Sequence, residues 1–178
     1  MYKIDSNGGI VIWEPIRIKF EKYPAQEKVV KLLFERGFQV NSEGKVVSGN
    51  IEIPHVQIGK EVRVDRRVVD ATAKHILEDE MLFDIFKNVK SIPFLADVAP
   101  HLNLGVVVIT PDDGADVGII SNVTRIISDA GLSIRQAVSD DPYFTDNPKL
   151  TIITNEKIPG NLVERILKAK GVKGVSVY

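Results

Sequence analysis

From Leu104 to Tyr178 the apolar residues change period in a set succession, and that succession constrains the fold more than any other feature of the chain. Leu104-Gly105-Val106-Val107-Val108-Ile109 is a β-branched run of strand length, broken at Pro111-Asp112-Asp113-Gly114-Ala115-Asp116. Beyond the break, Ile119, Ile120, Val123, Ile126 and Ile127 recur three and four apart. That is the spacing of a helix with one buried face, and Gly131 suits a left-handed cap at its end. Leu132 to Val138 predicts a second strand, a polar loop follows, and Leu150 to Thr154 predicts a third. Pro159-Gly160-Asn161 introduces a second helix with Leu162, Val163, Ile166 and Leu167 on one face, and Val175 to Tyr178 closes as a short strand. The order β-α-β-β-α-β predicts an antiparallel sheet with two helices on one face.

The preceding residues read as mainly helical. Residues 1–12 are glycine-bearing and mildly apolar, a short hairpin or a loosely held tail, and Trp13 to Tyr23 mixes helical with alternating spacing. Pro24 opens a helix whose apolar face is Val29, Val30, Leu32, Leu33 and Phe34, and Gly37 stops it. Phe38 to Val40 and Val46-Val47 flank the turn residues Asn41-Ser42-Glu43-Gly44, which predicts a hairpin, and Ile51-Glu52-Ile53 follows. Pro54 to Glu61 predicts a two-turn helix with Ile58 inward. Asp65 is an N-cap for a longer helix from Arg66 to Leu77, with Val68, Val69, Thr72 and Ile76 inward. Glu78 to Val89 continues as a helix, and Ser91 to His101 holds two prolines and no sustained period. The expected division is therefore a helical domain over 1–90, a proline-containing linker over 91–103, and an α+β domain over 104–178. The linker's Ile92, Phe94, Leu95 and Val98 are expected to pack against one domain or a partner.

Two resemblances follow from these residues. The segment Ile58, Gly59, Val62, Val64 and Val69 resembles a helix-turn-helix, with a small residue where the helices touch and apolar residues around the turn. In that resemblance the outward residues Arg63, Arg66, Arg67, Asp70, Ala71 and Lys74 are the candidate DNA contacts. Arg63 stands where glycine is usual, and a positive φ there would cost about 1 kcal/mol. The segment from Asp116 to Ile134, with Gly118 in the loop and Asp129-Ala130-Gly131 at the corner before the second strand, resembles the ACT domain, a ferredoxin-like small-molecule sensor of amino-acid metabolism. It departs from that family's pattern in having Val117, where proline is common, and in its extra loop acids. Together the two halves resemble the predicted archaeal-type regulators of amino-acid metabolism that contain an ACT domain.

The loop also has a physical reading of its own. A helix N-terminus offers free amides to a carboxylate, and a neighbouring aspartate suits an ammonium group, so the two complement a zwitterionic amino acid. Asp112, Asp113, Gly114, Asp116, Gly118 and Ile119 are the candidate ligand residues, and the ACT resemblance adds Leu132 and Ile134 as walls at an interface between two copies. Equally open is a capping role for Asp113 and Asp116 at the helix dipole.

Composition removes several classes of chemistry. The 178 residues include no cysteine, which excludes disulfides, thiolate nucleophiles and cysteine-built metal sites. The net charge of −1 gives no general pull toward nucleic acid, so DNA contact rests on a local patch. Lys60, Arg63, Arg66, Arg67 and Lys74 against Glu61, Asp65 and Asp70 make that patch modestly basic. No apolar run approaches the ~20 residues that span a bilayer, and the first residues lack signal-peptide order, so a cytoplasmic protein without a membrane partner is expected. His55, His75 and His101 lack metal-ligand spacing and read as structural. Asp112, Asp113 and Asp116 with Asp140, Asp141 and Asp146 lack calcium-loop spacing and read as solvated. With no phosphate loop and no nucleophile elbow, neither an enzyme nor a metal or other cofactor is expected.

The resulting expectation is an amino-acid-responsive regulator of amino-acid metabolism. It binds an amino acid or related metabolite through the C-terminal domain and DNA through the helix-turn-helix, as a homodimer or higher homo-oligomer. Two other readings stay open: a regulatory subunit that senses an amino acid and contacts an enzyme, and a ligand-free structural or oligomerisation protein.

Overall fold

A computed structural model describes residues 13–142, 145 and 147–178. The expected hairpin or tail over 1–12, and Asp146 among the loop acids, lie outside the described residues. The chain divides into two units between Pro93 and Phe94.

In the N-terminal unit the ambiguous stretch after Trp13 is a helix, α1 (Glu14–Phe20), with Ile16 and Phe20 buried four apart. Its short length left the helical period too few repeats to register in the sequence. α2 (Pro24–Arg36) ends at Gly37, whose φ of 62° satisfies the terminal carbonyls of Leu33 and Phe34. A side chain at Gly37 would collide with the backbone of Lys90 and Ser91, and Ser91 Oγ donates to the Arg36 carbonyl at 2.5 Å. The chain leaving the helices is thereby tied to the end of α2.

Strands β1 (Gln39–Val40), β2 (Val46–Ser48) and β3 (Ile51–Glu52) form an antiparallel sheet in that order. The β1–β2 turn is made by the Asn41 side chain, which accepts from the amides of Glu43 and Lys45 at 3.0 and 2.9 Å. The third strand adds to the hairpin expected from sequence. α3 (His55–Val62) follows, then α4 (Arg66–Glu78) and α5 (Glu80–Asn88). The continuous helix expected after Leu77 is broken at Asp79, which leaves helical geometry to cap α5 by accepting from the Leu82 amide at 3.1 Å.

The turn between α3 and α4 takes the conventional left-handed form despite its side chain: Arg63 has φ 58° and ψ 49°, and the Val64 amide donates to the Gly59 carbonyl at 2.8 Å. A β-carbon on Gly59 would lie 2.8 Å from the Val64 carbonyl oxygen, so glycine is what lets the turn close on α3. Asp65 caps α4 through the Arg67 amide at 2.9 Å. Val69, Thr72, Ala73 and Ile76 of α4 are buried, and Thr72 bonds back to the Val68 carbonyl at 2.7 Å.

The C-terminal unit has the expected β-α-β-β-α-β order: β4 (Gly105–Pro111), α6 (Ile119–Asp129), β5 (Ile134–Ser139), β6 (Leu150–Thr154), α7 (Gly160–Leu167) and β7 (Val172–Val177). The sheet is antiparallel, ordered β5-β6-β4-β7, and the last strand begins three residues earlier than its apolar end predicts. One face packs Val107, Ile109 and Ile152 under Val123, Ile127, Leu162 and Ile166 of the helices. The other face packs Val106 and Ile153 against Leu95 and Ala99, part of the stretch read as a linker. With both faces covered, the central strands are apolar without alternation. Ile92, Phe94 and Val98 remain exposed.

The fold is thus α+β, a helix-turn-helix unit followed by a βαββαβ unit. Burial raises the Asp79 carboxyl, but its Lys19 ion pair at 2.6 Å and the Leu82 amide outweigh this and hold it below the ordinary 3.8. A depressed folded pKa contributes stability that is present above 3.8 and lost as pH falls through the lower folded value. Asp79→Ala is therefore expected to cost about 1 kcal/mol in urea unfolding at neutral pH. The gap to the parent protein should narrow as pH is lowered below 3.8. A gap that stays constant to acid pH would show that the carboxylate charge contributes nothing.

Candidate functional site

On the N-terminal unit, the candidate DNA contacts Arg63, Arg66, Arg67, Asp70, Ala71 and Lys74 are all exposed, while Val69, Thr72, Ala73 and Ile76 hold the opposite face of α4 in the core. Local pairs tie down several of the charges. Arg67 lies 3.0 Å from Asp65, Arg66 3.4 Å from Asp70, and Lys74 3.6 Å from Glu78. The Arg67 amide first, then its guanidinium, holds the Asp65 carboxyl below its usual value, and Asp65 in turn raises Arg67. Arg63, carried outward by its left-handed backbone, has no acidic partner among the described residues. A cleft of about 400 Å³ beside this face is bordered by Arg67, Ala71, Tyr23 and Pro24.

His55, expected from the sequence to be structural, is tied into this corner. His55, at the start of α3, places Nδ1 2.6 Å from Asp70 Oδ1 and accepts from the Val46 amide through Nε2 at 3.3 Å. No local pattern signals this, because the turn between the helices is what brings His55 to Asp70.

On the C-terminal unit the structure splits the candidate ligand residues. Asp112, Asp113 and Gly114 line a cleft of about 340 Å³ with Thr110, Asn147 and Lys173. Asp116 and Ile119 border a smaller one of about 60 Å³ with Ser139, Asp140 and Lys149, and Gly114 is shared by both. A side chain at Gly114 would run into the Pro148 ring, so glycine allows the two loops to touch. Lys173 came from outside the motif: β7 pairs beside β4, with Val172 opposite Pro111, and so delivers a cation to the aspartate loop. The larger cleft therefore carries both signs of charge.

Gly118 lines neither cleft. It is the N-cap of α6 with φ 92°, and Ser121 Oγ donates to its carbonyl at 2.9 Å. No side chain caps α6, so the capping role considered for Asp113 and Asp116 is not what they do. Asp113 instead closes its own turn by accepting from the Ala115 amide at 2.9 Å. Leu132 and Ile134 are half-buried against the core beneath the helices and border neither cleft within one chain. Among the described residues no group of three His, Cys, Asp or Glu side chains is placed to hold a metal ion, and no helix is long and apolar enough to cross a membrane.

The conformational and lining residues separate by experiment. Gly118→Ala should destabilise the protein by about 1–2 kcal/mol through its positive φ. Lys173→Ala should change stability by less than about 0.5 kcal/mol. Urea unfolding of both variants reads the difference, and equal effects would contradict the assignment.

The chain matches no protein-family model and no curated protein. Its fold is similar to solved structures at low identity. The C-terminal domain of the MgtC protein from Mycobacterium tuberculosis is 18% identical, with 42% of this chain and 83% of that one covered and a TM-score of 0.32. A homoserine dehydrogenase from Thiobacillus denitrificans is 17% identical over 63% of this chain and 27% of its own, with a TM-score of 0.34. An AsnC family transcriptional regulator from Agrobacterium tumefaciens is 12% identical over 86% of each chain, with a TM-score of 0.28. Likenesses this loose carry no argument about function, which rests on the geometry of the chain itself.

Proposed function

We propose that this protein is a ligand-responsive transcription regulator of amino-acid metabolism. Its α3–α4 helix-turn-helix binds duplex DNA, and the C-terminal unit binds an amino acid or related zwitterionic metabolite. The reading is carried by the α3–α4 corner, where Gly59, Arg63 and the Asp65 cap together bury one face of α4 and leave Arg63, Arg66, Arg67 and Lys74 outward. An exposed helix with cations near its N-terminus is the shape and charge that the major groove accepts.

The effector reading is supported by the larger cleft. Asp112 and Asp113 suit an ammonium group and Lys173 suits a carboxylate, across a space of about 340 Å³. In this account the active species is a homodimer or higher homo-oligomer, whose pairing sets the separation of two α4 helices and hence the half-site spacing. The effector acts only if it binds one arrangement more tightly than the other.

A thermal-shift screen of the full chain against the twenty amino acids at millimolar concentration tests the sensor. One amino acid should raise the melting temperature by several degrees, as ligand at about 100 times Kd adds about 2.7 kcal/mol. Asp112→Ala with Lys173→Ala should abolish the rise, and a flat screen would overturn the sensor reading. For DNA, Arg66→Ala with Arg67→Ala should weaken duplex binding and lower its salt slope by about 0.9 for each phosphate that is no longer neutralised. Absence of duplex binding by the parent protein at low salt would overturn the DNA reading.

A further inference from the structure

The chain from Val46 through His55 and Asp70 to Arg66 joins the β-sheet of the N-terminal unit to the first turn of α4. A backbone N–H can only donate, so His55 Nε2, 3.3 Å from the Val46 amide, is the acceptor and the ring proton sits on Nδ1. That proton is given to Asp70 Oδ1 at 2.6 Å. The second carboxylate oxygen, Oδ2, faces Arg66 Nε at 3.4 Å. Both oxygens of Asp70 are thus engaged within the chain, and Asp70 is poorly placed to read a base itself. Asp70 meets the Nε edge of Arg66 as an ion pair without a hydrogen bond, and the Arg66 side chain remains 63% exposed. The two terminal nitrogens of its planar guanidinium are left to form a fork.

We infer that Arg66 reads a guanine in the major groove, and that Asp70 and His55 are positioning residues that hold its guanidinium for that contact. The inference rests on the DNA reading above and names the base it recognises. A guanine presents O6 and N7 as two coplanar acceptors, which is the pattern a fixed guanidinium fork matches. Helix-turn-helix proteins place the first residues of the second helix against base edges, and Arg66 opens α4.

The test is in vitro selection of randomised duplexes by the full chain, followed by affinity measurements on the selected site and on single-base variants of it. The parent protein should select a guanine whose replacement weakens binding by roughly 10-fold or more. Asp70→Ala and His55→Ala should lose that preference while still binding an unselected duplex, Asp70→Ala at least as tightly as the parent because it removes a negative charge from that face. His55→Asn, whose amide nitrogen can stand where Nδ1 stands, should restore it. Asp70 is on the surface, so its variant reports even if His55→Ala does not fold, with circular dichroism as the check. An unchanged guanine preference in Asp70→Ala would overturn the positioning roles. Weakening by Arg66→Ala that is even across all sequences would assign Arg66 to phosphate and overturn the guanine contact. If the parent protein binds no duplex at all, the DNA reading fails and this inference with it.

Discussion

The approach of Gly59 to the Val64 carbonyl is the contact on which the N-terminal unit depends. It allows the chain to leave α3 through a left-handed residue and enter α4 within a few positions, with the Asp65 side chain capping the new helix. The resulting corner places Val69, Ala73 and Ile76 in the core and Arg66, Arg67 and Lys74 on the surface. It also brings His55 beside Asp70, fifteen positions later. Keeping an arginine in the left-handed turn costs of order 1 kcal/mol relative to glycine. The side chain that results is a cation without an acidic partner among the described residues, at the edge of the proposed DNA-binding face.

In the C-terminal unit the organising constraint is a sheet covered on both sides. Helices α6 and α7 cover one face, and the segment holding Leu95 and Ala99 covers the other. Central strand β4 is paired on both flanks, so its end is held in place and the acidic loop leaves from a rigid position. Its neighbour β7 supplies Lys173 from far along the chain. The proposed effector cleft is therefore a product of strand order, not of a local motif.

The elements legible in the sequence were those with several repeats of one period or a strong stop signal. β4, β6, α6 and α7 follow the apolar spacing, and Gly37 and Gly131 stand in left-handed geometry where helices end. α1 was too short for its period to outweigh an alternating reading. The alternation Ile51-Glu52-Ile53 at β3 is too short to read as a strand, and the break at Asp79 is hidden because apolar spacing continues across it. At the sites, the α4 surface residues could be read from the helix period. His55 and Lys173 could not, because each reaches its place through tertiary pairing. Leu132 and Ile134, which the family resemblance places as walls between two copies, pack within one chain against the core.

The central claim is that effector binding and DNA binding are coupled, and coupling is reciprocal. The most direct measurement is fluorescence anisotropy of the full chain on its selected duplex, with and without the amino acid that raises its melting temperature. The account predicts a change in Kd of about 5-fold or more, in the size range of about 1–3 kcal/mol typical of such coupling. An affinity identical with and without that ligand, at concentrations that saturate the protein, would contradict it.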